Sequence, residues 1–207
     1  MKKEQEYFRD LAEIRAMMER SSKFMSLSGW AGVLAGIYAL VGAYVAYGWL
    51  DSSGPEENSY MARSLSLEVY LPLIALFMLI LILALATAIF LSHQKAIRRG
   101  ESAWNTTSKR LLAHMAVPLV AGGSLIIILM SKGLIFLAPP LSLIFYGIAL
   151  YNASKFTFEV LKYLGMIQIL LGLAGACFPG YGLVLWAVGF GAFHIAYGTY
   201  MHYKYER

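Results

Sequence analysis

Gln168 and His194 are the side chains in this sequence best placed to do chemistry, because each is a polar group deep inside a long apolar run. Gln168 lies about twelve positions before the Pro179-Gly180 turn and His194 about fourteen after it. At about 1.5 Å per helical residue, both reach the same depth on neighbouring antiparallel helices. In hydrocarbon each requires a partner, so the two are predicted to meet directly or through a water or a tyrosine hydroxyl. Two roles fit such a pair: a functional site, the default for an ionisable group in a membrane, and a structural clasp between helices.

Other chemistry is thinly represented. His93, His114 and His202 fall near one end of the second, third and sixth apolar runs. Three imidazoles at one depth suit a metal or a haem, but no His-x₃-His pair brings them together, and interfacial histidines with wet polar tips fit equally. Cys177 is the only cysteine, which excludes an internal disulfide and a cysteine-based zinc or iron–sulfur site. It reads as a small hydrophobe at a helix end. There is no HExxH, nucleophile elbow or Walker loop, and the acids nearest the apolar runs, Glu68 and Glu159, sit at interfaces. A proton- or sodium-coupled transporter usually buries a carboxylate. The expectation is a protein without enzymatic activity and with no cofactor.

The elements that would position Gln168 and His194 follow from composition and charge. With 59% hydrophobic residues and a mean hydropathy of +0.61 over 207 residues, the chain has more apolar surface than a soluble core of this size can hide. Six apolar runs are long enough to cross a bilayer, about 25–50, 69–92, 111–130, 133–152, 158–178 and 181–203. If the chain starts in the cytoplasm, fifteen of its seventeen lysines and arginines lie there, leaving only Arg63 and Lys132 outside. That partition predicts both termini in the cytoplasm. The expected fold is all-α: residues 1–24 as a cytoplasmic amphipathic helix, then a 25–207 integral membrane bundle of six helices in three hairpins. The basic excess is topological and favours anionic headgroups, so membrane lipids are expected partners and nucleic acid is not. No cleavable signal is visible, and the first span is expected to stay uncleaved.

Ahead of the first span, Tyr7, Leu11, Ile14 and Met18 recur at helical spacing and form one apolar stripe. Acids balance bases on the other faces, so the stripe is expected to cover protein, either this chain's own cytoplasmic end or a partner subunit, rather than lipid. In the first span Gly29, Gly32 and Gly36 form a small-residue stripe for close helix packing, within the chain or in a dimer. Pro118 in the third span and Pro139-Pro140 in the fourth are expected to kink both helices and open a cavity between them. Residues 93–110 read as a basic cytoplasmic loop in which Asn105-Thr-Thr, like Asn152-Ala-Ser elsewhere, matches a glycosylation pattern by chance.

The last two spans carry Leu164-Gly-Met-Ile-Gln-Ile-Leu-Leu-Gly-Leu, then Phe178-Pro-Gly, then a glycine- and aromatic-rich return ending Ala196-Tyr-Gly198. This hairpin resembles the HdeD-like bacterial inner-membrane proteins, small six-span proteins associated with acid stress. The resemblance implies a helical hairpin repeated three times and no enzymatic role. Gly133 to Tyr151 echoes the sixth span in its glycines and aromatics. The functional expectation is a bacterial inner-membrane protein acting by association, as a homo-oligomer or with a partner membrane subunit. The rival is a small-molecule or lipid transporter or channel, with its site among Pro118, Pro139, Pro140, Gln168 and His194.

Overall fold

The computed structural model describes residues 26–51, 67–100, 102 and 104–206. The predicted N-terminal helix, with Tyr7, Leu11, Ile14 and Met18, and the predicted external loop with Arg63 lie outside the described residues. Among the described residues every regular element is helical, and six helices are long and apolar enough to cross a membrane. They are α1 (Gly29–Asp51), α2 (Leu67–Arg98), α3 (Thr106–Ser131), α4 (Ala138–Ala153, which reaches that length with the 3₁₀ turn before it, as Ile135–Ala153), α5 (Val160–Cys177) and α6 (Gly182–Tyr205). Short 3₁₀ turns at Ile135–Leu137 and Pro179–Tyr181 lead into α4 and α6.

Local chemistry sets the boundaries. α2 runs on to Arg98 and α3 starts at Thr106, so much of the expected 93–110 loop is helical. Nothing between Ser92 and Arg99 breaks a helix, and Gly100 then reverses the chain at φ 67°. Asn105 caps α3: its Oδ1 accepts from the Ser108 N–H at 2.8 Å, and Ser108 Oγ accepts from the Asn105 N–H at 3.0 Å. α3 ends at Gly133, φ 78°, where Gly133 N–H donates to Met130 O and Leu134 N–H to Leu129 O, the paired bonds of a Schellman motif.

The prolines divide. Pro118 lies inside a continuous α3 and is buried. Pro139 and Pro140 do not kink a span, contrary to the expectation; they occupy the first turn of α4. The Gly133 reversal and the 3₁₀ turn delay the start of that helix, and a missing N–H costs nothing in a first turn, where it has no partner anyway.

Two helix crossings hold the centre, and they are built alike. α1 lies on α6 with Gly29 opposite Gly198 and Gly36 opposite Gly191; a Cβ added at Gly29 would stand 2.5 Å from Gly198 O, and one at Gly198 2.5 Å from Gly29 O. α5 lies on α4 in the same register. Gly165 faces Gly147 and Gly172 faces Pro140, with added Cβ atoms 2.6–2.7 Å from the opposing carbonyl oxygens. Even the flanking residues correspond, since Gly36 abuts Ile195 and Gly172 abuts Ile144, each four positions beyond the facing residue. Bare Cα atoms are required at these points because backbone meets backbone.

Around these crossings sit two apolar clusters. One joins Leu111, Leu150, Phe158, Leu161, Leu164 and Met201 from α3 to α6. The other joins Ala39, Ala43, Leu143 and Trp186, with Phe77 of α2 against it. α2 packs on α1, where Ile80 meets Gly42 and Thr87 Oγ1 stands 3.3 Å from Tyr38 Oη.

Candidate functional site

α6 is not a uniform helix. Between Gly182–Trp186 and His194–Tyr205 it widens into a π-helical segment, Ala187–Phe193, containing Gly189 and Gly191. Such widenings are rare and recur at functional sites. Here the widening leaves the Gly189 carbonyl accepting from side chains. Gln168 Nε2 donates to it at 2.8 Å and His194 Nδ1 lies 3.0 Å from it. Because a carbonyl only accepts, Nδ1 carries the proton. In the neutral imidazole Nε2 is then the acceptor, and Tyr146 Oη of α4 donates to it at 2.9 Å.

Gln168 and His194 therefore converge, but through a third group. Their 3.5 Å separation between nitrogens is that of two donors sharing one acceptor, not of a bond from one to the other. Phe190 stacks on the imidazole at 5.6 Å and Tyr146 tilts over it at 5.4 Å. Gln168 is fully buried and His194 nearly so. Among the described residues two buried side-chain polar atoms are left over, Gln168 Oε1 and the Tyr197 hydroxyl. Tyr146 and Tyr197 occupy equivalent places in the twin crossings, each one residue before the glycine at the crossing point, Gly147 or Gly198. Chemically, this is an oriented chain of hydrogen bonds from a phenol through an imidazole to a carbonyl, joining α4, α5 and α6.

The two amino-acid partners should respond differently to substitution. Tyr146→Phe removes a made bond and leaves His194 Nε2 buried without a donor, at an expected cost of about 1–3 kcal/mol. Gln168→Met removes one made bond together with the unpartnered Oε1, and its melting temperature in detergent should lie much closer to that of the natural protein. Circular-dichroism melts of the two variants test the ordering.

A second polar cluster, at the basic end, joins three helix ends. Lys95 Nζ donates to Glu206 Oε1 at 2.8 Å and to the Leu27 carbonyl. The Gly29 N–H at the start of α1 donates to the same Oε1 at 2.8 Å, and His202 Nδ1 lies 2.8 Å from Oε2. Glu206 thereby caps α1 from the far end of the chain, where a carboxylate also complements the helix dipole. Arg99 adds a bond to the Tyr205 carbonyl at 3.3 Å.

Burial pushes the Glu206 carboxyl up, but the bonds from Lys95, His202 and Gly29 outweigh it and bring it down to about 2. With its folded pKa below the unfolded one, Glu206 contributes stability above the ordinary carboxylate range and loses it as the pH falls through about 2. Melting temperature should therefore decline from pH 5 towards pH 2, and Glu206→Gln should flatten that decline. A decline as steep in Glu206→Gln as in the natural protein would assign the acid response elsewhere.

The remaining sequence candidates are dispersed or occupied. Gly29, Gly32 and Gly36 all face α6, so this stripe is used inside the chain and is not free for a dimer. The three terminal histidines have separate surroundings: His202 on Glu206, His114 stacked on Phe156 at 4.7 Å, and His93 exposed. No group of three His, Cys, Asp or Glu among the described residues could hold a metal ion. Cys177 is exposed at the end of α5. Pro118 and the Pro139-Pro140 pair do not meet the Gln168–His194 cluster as a shared kink; Pro140 instead packs against Gly172 and Gly175.

Sequence reasoning missed Tyr146, Gly189, Lys95 and Glu206. The signal for Tyr146 was the Ile-Phe-Tyr-Gly of α4 repeated as Ile-Ala-Tyr-Gly in α6. Comparison with known proteins finds no matching family model, no matching curated protein and no matching solved structure.

Proposed function

We propose that this chain is a non-enzymatic protein of the bacterial inner membrane, six spans in three hairpins with both termini cytoplasmic, acting by association as a stress-related or accessory subunit. The observation that supports it most is the fixing of the segment leading into α1. Ser26 is fully buried, the Leu27 carbonyl accepts from Lys95 and the Gly29 N–H donates to Glu206. The sequence that carries Tyr7, Leu11, Ile14 and Met18 is therefore joined to a fixed point of the bundle, and such fixing lowers the ordering cost of docking. Photo-crosslinking in native membranes from a probe beside Leu11 should capture a discrete protein, a partner subunit or a second copy. Leu11→Glu with Ile14→Glu should abolish that capture. Capture unaffected by the double variant would sink the reading.

A second reading, a small-molecule or lipid transporter or channel, is favoured by the π-helical segment and the two unpartnered buried atoms beside it, Gln168 Oε1 and Tyr197 Oη. A polar solute passing the bundle would use those groups. Liposome flux that His194→Ala leaves unchanged would remove this reading.

A further inference from the structure

We infer that the bundle consists of two halves that turn against each other about the π-helical segment of α6, with the Tyr146–His194 bond as the clasp between them. The inference rests on the fold alone and on neither functional reading above.

The glycines of α6 carry the first step. Gly182 and Gly189, seven positions apart, face α4 and α5. A Cβ added at Gly182 would stand 3.7 Å from Pro140, and one at Gly189 2.6 Å from Leu143 and 3.4 Å from Leu171. Gly191 and Gly198, again seven apart, face α1, where they meet Leu40 and the Gly29 carbonyl. Positions seven apart share one side of an α-helix. α6 therefore shows one glycine face to each set of partners, and it passes from one to the other between Gly189 and Gly191. Both of these residues lie in the π-helical segment Ala187–Phe193.

The close contacts sort in the same way. α2 is carried by α1, where Ile80 meets Gly42, and α3 by α4, where Phe145 meets Gly122. One half is thus α1, α2 and α6 from Gly191 onward; the other is α3, α4, α5 and α6 up to Gly189. Wherever a Cβ added to a described glycine would come within 3.0 Å of an opposing backbone atom, both residues belong to one half. Between the halves, aromatic side chains touch instead, Trp186 on Phe77 at 5.0 Å and Phe158 on Tyr205 at 4.5 Å. Side chains can slide and repack, whereas backbones in contact move as one body.

The polar cluster sits on this boundary. Tyr146 belongs to one half and His194 to the other, and their 2.9 Å bond joins them beside the point where α6 changes partner. Gln168 holds the segment itself, through the Gly189 carbonyl at 2.8 Å. Each glycine favours an α-helix less than alanine does by about 1 kcal/mol, so a widened turn with two of them is where the helix gives.

The test is double electron–electron resonance on the full chain in nanodiscs, with spin labels at exposed positions in a Cys177→Ser background. Val41→Cys with Leu170→Cys spans the halves, Val41→Cys with Tyr200→Cys lies within one, and Leu170→Cys with Tyr151→Cys within the other. Tyr146→Phe should add a second distance population to the spanning pair and leave both internal pairs as narrow as in the natural sequence. An unchanged spanning pair overturns the inference, and so does equal broadening of all three pairs, the mark of general loosening. Should Tyr146→Phe fail to give monodisperse protein, Gln168→Met cuts the tie to the segment and is read by the same three pairs, with a smaller second population expected.

Discussion

Gly198→Leu should yield no folded protein, and Gly198→Ala should already lose a large part of the stability. An added Cβ would lie 2.5 Å from Gly29 O and 2.6 Å from Val33 N, both backbone atoms that cannot turn aside. Only a shift of α1 away from α6 makes room. That separation also stretches the contacts of Gly32 with Gly198 and of Gly36 with Gly191. Overpacking a tight interior costs about 1–3 kcal/mol for small additions and more for a branched side chain. Gly123→Ala is the control, because nothing lies within 4 Å of its added Cβ. In a helix interior that substitution should stabilise by up to about 1 kcal/mol. Fluorescence-detected size exclusion after heating ranks the three: Gly123→Ala at or above the natural protein, Gly198→Ala well below it, and Gly198→Leu without a monodisperse peak. A Gly198→Ala protein as stable as Gly123→Ala would refute the backbone-contact account.

Lys95→Ala should be the most damaging change at a charged residue, by about 3 kcal/mol. Lys95 and Glu206 side chains are only 13% and 12% exposed, so removing the ammonium leaves a poorly solvated carboxylate with only the Gly29 N–H and His202 bonds to offset its charge. It also leaves the Leu27 carbonyl without that donor. Neutralising the acid as well should recover part of the loss, so Lys95→Ala with Glu206→Gln should be more stable than Lys95→Ala alone. The coupling in that cycle should change little between low and high salt, because the pair is shielded from mobile ions. An additive cycle, or one that vanishes in salt, would show a surface pair of small consequence.

The number of helices long and apolar enough to cross a membrane, six among the described residues, was legible because hydrocarbon thickness imposes a minimum length on any apolar run. The common depth of Gln168 and His194 was legible by the same arithmetic, since helical rise converts position into depth. Their shared acceptor was not. A π-helical segment has no period of its own in the pattern of apolar residues, so the Gly189 carbonyl is not visible as a ligand before the backbone is known. Pro139 and Pro140 misled for a related reason. A proline pair kinks a helix or begins one, and which applies depends on where the preceding chain reversal ends, here at Gly133. Lys95 and Glu206 stand 111 positions apart, and only the return of α6 to the start of α1 brings them together. Gly29, Gly32 and Gly36 announced a close crossing without naming the helix that would fill it.

The pairing of α1 with α6 has a consequence for biogenesis. A polypeptide leaves the ribosome from its first residue onward, so α4 and α5, neighbours in the chain, can seal their crossing while synthesis continues. The glycine face of α1 has no such neighbour in sequence and stays open until α6 has been made. Nascent chains of this protein should therefore be held by an insertion chaperone until α6 has been made, and loss of α6 should expose α1 to quality-control proteolysis.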